Sequence, residues 1–165
     1  NLYTVIGAEG KMFDVGLMVR ELQPKQCRVS SDNNKQENIE LLPVLDGIRK
    51  YAIEHVLLVG KPGSGKSTAL RHLLWEESTA AIQGEKRKIP VLVELRNWDT
   101  SVETLIYKFL RKHKHCIDNT KKIEYLLFNQ ELLLLMDGLN ELPSDEARIK
   151  VAQFRQDYSE TPMVF

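Results

Sequence analysis

The sequence predicts a three-layer α/β/α domain built on a mostly parallel central sheet, and three observations lead there. An apolar run, Val56-Leu57-Leu58-Val59, passes into a glycine-rich turn and then into Ala69, Leu70, Leu73 and Leu74 at helical spacing. A second run, Leu132 to Met136, is apolar at every position, as expected of a strand covered by helices on both faces. Around these runs, short β-branched segments alternate with stretches of helical periodicity, the order of a doubly wound sheet.

Taken in order, residues 1–29 carry short apolar patches, Val5-Ile6 and Val15 to Val19, broken by glycines, and predict a strand or two. Ser30 to Asn38 is polar and turn-rich, a loop. Pro43 opens a short helix with Val44, Leu45, Ile48 and Ala52 on one face, leading into the strand at 56–59. The helix after the glycine-rich turn is expected to run to about Glu77, and Gln83 to Lys88 is a charged turn. Ile89 to Leu95 is a second strand. Thr100 and Glu103 fit a capping box that starts a helix burying Val102, Leu105, Ile106, Phe109 and Leu110. A further helix covers 120–129, and Leu132 to Met136 forms the third strand. Ser144 caps a helix with Asp145 and Glu146 in its first turn and Ala147, Val151 and Phe154 facing inward. Pro162 to Phe165 begins another strand.

The totals narrow the function. A chain of 165 residues makes one domain with a proper core. Its 23 basic and 23 acidic side chains cancel, so no overall field draws it to nucleic acid or to an anionic membrane. The longest apolar run, Leu132 to Met136, is too short to span a bilayer, and Asn1 to Thr4 has neither part of a signal peptide. Two cysteines, Cys27 and Cys116, suit a reducing cytoplasm better than a disulfide framework.

Chemistry concentrates in Gly60-Lys61-Pro62-Gly63-Ser64-Gly65-Lys66-Ser67-Thr68, a G-x-x-x-x-G-K-[ST] string set between a strand and a helix. The glycines allow successive backbone N–H groups to point inward at phosphate oxygens, and the helix adds the positive end of its dipole. Lys66 reaches the β- and γ-phosphates, and the Ser67 hydroxyl joins the shell of a Mg²⁺ ion. A chance match to the fixed positions in a chain of this size is on the order of 1%. The expected ligand is therefore a nucleoside triphosphate. The metal needs an acid facing it, and Asp137, ending the apolar strand about 70 residues after the loop, supplies one. Hydrolysis needs a group that orients water. The position after Asp137 is Gly138, and the next acid is Glu141, which a sharp turn at the glycine would bring back toward the γ-phosphate.

Other candidates read more plainly. His113, His115 and Cys116 sit among lysines and suit a solvated helix end better than a metal site. Arg111 to His115 lacks the aromatics of a nucleic-acid surface. Arg96, Asn97 and Trp98 leave the second strand on the ligand side of a parallel sheet, open to a switch or interface role, with packing the commoner fate of a Trp.

His55 to Leu70 (HVLLVGKPGSGKSTAL), Ile89 to Trp98 (IPVLVELRNW) and Leu132 to Pro143 (LLLLMDGLNELP) together resemble the NACHT family of STAND-class P-loop NTPases, of the bacterial and cyanobacterial type, over residues 40–165. The resemblance implies a P-loop fold and an ATP/ADP- and Mg²⁺-binding switch domain. Such a domain self-associates when an attached sensor region perceives its ligand, and the hydrolysis expected of this chain is slow. By position it assigns Gly60, Gly63, Ser64, Gly65 and Lys66 to phosphate, Ser67 and Asp137 to Mg²⁺, and Glu141 to hydrolysis. Leu42-Pro43-Val44 would flank the adenine. On this reading 1–38 is an extension with a polar loop and 39–165 is the NTPase domain, which in the family continues to a γ-phosphate-sensing arginine. Asn140 stands where the family usually has a second acid; a nucleotide-holding interaction module without turnover is the alternative.

Overall fold

The computed structural model describes residues 5–6, 12–13, 18–19, 42–52, 55–85, 88–113 and 119–165. Ser30 to Asn38, Cys27, His115 and Cys116 lie outside them. β1 (Val5–Ile6) pairs antiparallel with β2 (Met12–Phe13), and β3 (Met18–Val19) pairs antiparallel with β4 (Leu42–Pro43). Val5-Ile6 thus forms a short strand, as does the end of the second apolar patch, 18–19, which reaches the residues just before the first helix; 15–17 lie outside the described residues.

Pro43 is the N-cap of α1 (Val44–Tyr51), where a fixed φ suits a helix start. Val44, Leu45 and Ile48 are buried on one side of it. After the glycine-rich loop, α2 (Lys66–Ile82) runs a turn further than the sequence suggested. Beyond Glu77 it continues through Ala80 and Ala81, strong helix formers, and the Thr79 hydroxyl donates back to the Trp75 carbonyl at 2.8 Å, so nothing breaks the ladder before the Gln83-Gly84 turn.

β5 (Ile89–Glu94) and β6 (Leu132–Asp137) lie parallel, in register from Ile89↔Leu132 to Glu94↔Asp137. β7 (Met163–Val164) joins the far side of β6 in parallel, and Val56 bridges to Val164 beyond it. Val56 N–H to the Met163 carbonyl at 2.8 Å, Phe165 N–H to the Val56 carbonyl at 2.8 Å and Leu58 N–H to the Phe165 carbonyl at 2.7 Å carry the pairing along the segment predicted as a strand. The order is therefore β5, β6, β7 and then 56–58, all parallel. Leu57 and Val59, at 64% and 71% exposure, alternate on the open face of that last segment.

Helices close both faces over β5 and β6, which makes the three layers. On β6, Leu132, Leu134 and Met136 pack against α3 (Val102–Lys112), α4 (Thr120–Phe128) and α5 (Asp145–Asp157). Leu133 and Leu135 point the other way, to α1 and α2. An all-apolar strand is what this two-sided burial requires. Fully burying each leucine is worth about 1.5–3 kcal/mol. Ser144 caps α5 as expected, accepting from the Ala147 N–H at 3.2 Å. The capping box expected of Thr100 is corrected: the cap of α3 is Ser101, whose backbone is extended and whose hydroxyl accepts from the Thr104 N–H at 3.3 Å. Thr100 instead lies 3.1 Å from the Thr104 hydroxyl.

One polar tie fastens α1 to α2. The Arg49 guanidinium donates to Glu77 Oε1 at 3.0 Å and to Glu76, and His72 Nε2 lies 3.2 Å from Glu76 Oε1. Burial opposes charge on Arg49, but the hydrogen bonds and negative field of the two glutamates outweigh it and hold the guanidinium above its ordinary pKa.

Candidate functional site

The glycine-rich loop follows residues 56–59 and ends where α2 begins. Gly65, the N-cap, takes φ +88°, a left-handed conformation that admits few other residues, and no side chain caps the helix. The first N–H groups of a 17-residue helix are thus turned toward the loop's concavity, which is the arrangement that receives an anion. A Cβ at position 60 would come within 2.6 Å of Ser64 Oγ, so a larger residue there would oblige the Ser64 hydroxyl to turn away. Lys66 Nζ donates to the carbonyls of Gly60 at 2.8 Å and Lys61 at 3.2 Å. Its charge is held over the loop by carbonyl oxygens that a phosphate can replace.

Across from the loop, Asp137 ends β6 half-buried. Ser67 Oγ donates to its Oδ1 at 2.6 Å, joining residues 70 apart in sequence. A hydroxyl and a carboxylate held together at the N-terminus of a phosphate-binding helix are hard oxygen donors of the kind Mg²⁺ takes, so the residues present fit that ion. After Asp137 the chain turns at Gly138, φ +83°, and the Glu141 N–H donates to the Gly138 carbonyl at 2.8 Å. The Glu141 side chain folds back over the glycine, its Cδ 3.4 Å from where a Cβ would stand. Asn140 and Glu141 are both exposed on this turn.

Two residues that sequence reasoning passed over belong beside these. Glu94 ends β5 as Asp137 ends β6, and the two are register partners. Arg71, one helical turn beyond Ser67, donates to Glu94 Oε1 at 3.3 Å, parallel to the Ser67–Asp137 contact. Arg96 and Asn97 also reach Glu94, at 2.6 and 3.1 Å. An acid at the last position of both β5 and β6, with Ser67 and Arg71 four apart on one helix, was the signal. Trp98 packs half-buried against the core under α3, α4 and α5.

A strand, a glycine-rich loop and a helix N-terminus, with an acid-ended parallel strand bonded to the loop's serine, define a P-loop NTPase. The family comparison narrows the class: the profile described as NACHT domain matches residues 54–159. The chain belongs to the NACHT family, and carries that family's nucleotide-binding NTPase module. No curated protein matches the chain. Among the described residues, no helix is long and apolar enough to cross a membrane.

Proposed function

We propose that this chain is an ATP- and Mg²⁺-binding switch domain of a larger cytoplasmic signalling or defence protein, in which nucleotide state governs contacts with neighbouring domains and self-association. The observation that supports this reading is the 2.6 Å contact of Ser67 with Asp137, a hydroxyl and a carboxylate held together beside the glycine-rich loop. Residues 39–165 act as the nucleotide-binding unit and 1–38 as an extension of it.

Binding begins with an exchange. Lys66 leaves the Gly60 and Lys61 carbonyls for the β- and γ-phosphates, while backbone N–H groups from Gly63 to Thr68 take the phosphate oxygens. Ser67 and Asp137 would hold Mg²⁺, which neutralises charge on the β- and γ-phosphates. Glu141, on the turn that follows Gly138, accepts a hydrogen bond from the attacking water. Asn140 orients water but accepts no proton, so turnover is slow. That same asparagine favours the second reading, a module that holds nucleotide without turnover.

The test is thermal unfolding with Mg²⁺ and ADP, ATP or neither, alongside Lys66→Ala. Ligand at 100 times its Kd adds about 2.7 kcal/mol. At roughly 2–4 °C per kcal/mol for a domain of this size, the melting temperature rises by about 5–11 °C. The rise should vanish in Lys66→Ala; no shift with either nucleotide would refute the reading. Phosphate release then separates slow enzyme from passive module.

A further inference from the structure

Glu94 is oversubscribed. Arg96 Nη2 at 2.6 Å and Arg71 Nη2 at 3.3 Å both donate to the same oxygen, Oε1, while Asn97 donates to Oε2 at 3.1 Å. Two guanidiniums on one carboxylate leave a positive charge in excess, and they repel one another across the shared oxygen. The cluster sits at the C-terminal end of the parallel sheet, level with Asp137. The turn Leu95–Asn97 adjoins the turn Leu139–Glu141 that carries the hydrolytic candidate. Arg71 lies on α2 one turn beyond Ser67, away from the loop, whereas Arg96 lies past the strand end with its side chain 53% exposed.

We propose that Arg96 is a residue by which this site tells a nucleoside triphosphate from a diphosphate, additional to the arginine that the family carries further along its chain. Glu94 holds Arg96 in the nucleotide-free chain, and Arg96 passes to the terminal phosphate when a triphosphate occupies the loop. The exchange is cheap because Arg71 and Asn97 remain on Glu94 when Arg96 departs, so the carboxylate keeps its partners. A planar guanidinium suits the new partner, since it pairs with phosphate oxygens through two parallel N–H groups. A diphosphate has no oxygen at that position, and Arg96 then stays on Glu94. The inference rests on the nucleotide-binding reading above and adds a source of selectivity within it.

The experiment is a titration of the full chain with Mg²⁺·ADP and with the Mg²⁺ complex of a β,γ-imido ATP analogue, for the parent, Arg96→Ala, Arg96→Lys and Glu94→Gln. Arg96→Ala should weaken the triphosphate analogue by about tenfold or more and leave ADP unchanged. Arg96→Lys, a point charge without the fork, should recover part of the loss. Glu94→Gln, which removes the competing carboxylate, should shift the triphosphate-to-diphosphate ratio the opposite way. Circular dichroism confirms folding, which substitution of a half-exposed side chain leaves intact. If the parent binds ADP and Arg96→Ala weakens both nucleotides alike, or neither, the assignment of Arg96 is overturned and nucleotide binding stands. If the parent binds neither nucleotide, both readings fall together.

Discussion

Severing the Ser67–Asp137 contact tests the centre of the site without any ligand. At 2.6 Å this is an O–H···O⁻ bond in the charge-assisted range, and such bonds contribute about 1.5–3 kcal/mol. Both side chains are half-buried, so water competes for each, and the lower end applies: about 1.5 kcal/mol of coupling. The measurement is a double-mutant cycle of the parent, Ser67→Ala, Asp137→Ala and the double variant, unfolded in urea at fixed ionic strength. The single losses should exceed, when added, the loss in the double variant by that coupling, because the second change removes a partner already gone. Repeated with Mg²⁺·ADP, each single variant should lose the part of the stabilisation that depends on the metal. Losses that add to within about 0.3–0.5 kcal/mol in the free chain would mean the two groups do not interact, and the reasoning fails.

Three further outcomes follow from other parts of the fold. Gly138→Ala places a Cβ at φ +83° and 3.4 Å from Glu141 Cδ; it should cost about 1–2 kcal/mol of stability in urea unfolding and slow phosphate release more than it weakens ADP binding. Arg49→Ala removes the tie between α1 and the buried Glu77, costing about 1–2 kcal/mol after discounting for solvent at a partly exposed guanidinium. Pairing raises the Arg49 pKa, so its contribution is complete below the ordinary arginine value and lost only as pH climbs past the raised one; the loss measured from roughly pH 6 to 9 should therefore be constant. Thr161→Val deletes a buried hydroxyl that donates to the Leu127 carbonyl at 2.7 Å, but that carbonyl also accepts from Gln130 N–H at 3.0 Å, so the melting temperature should fall by only about 2–4 °C, near 1 kcal/mol.

The parts legible in the sequence are those whose physics is local. A phosphate loop needs its glycines, lysine and hydroxyl within nine consecutive residues, and a strand buried on both faces must be apolar throughout, so residues 60–68 and 132–136 declare themselves. The Ser101 cap was misplaced by one because Thr100 and Ser101 are both good caps, and backbone conformation alone decides which hydroxyl reaches an N–H. The far end of α2 was misjudged for a related reason: Ser78 and Thr79 weaken a helix, and Ala80 and Ala81 restore it.

What stayed hidden depends on register. Glu94 looks like any acid at a strand end until β5 is known to pair with β6 so that Glu94 stands beside Asp137. Only then does Arg71 take on meaning: it shares a helix face with Ser67, four positions on, and meets Glu94 on the strand beside Asp137. Side-chain charge could not reveal this, because 23 cations and 23 anions allow many pairings and sequence separation favours none of them. The phosphate loop identifies what binds. The sheet register decides which charges stand around it, and those are found by stacking strands rather than by matching motifs.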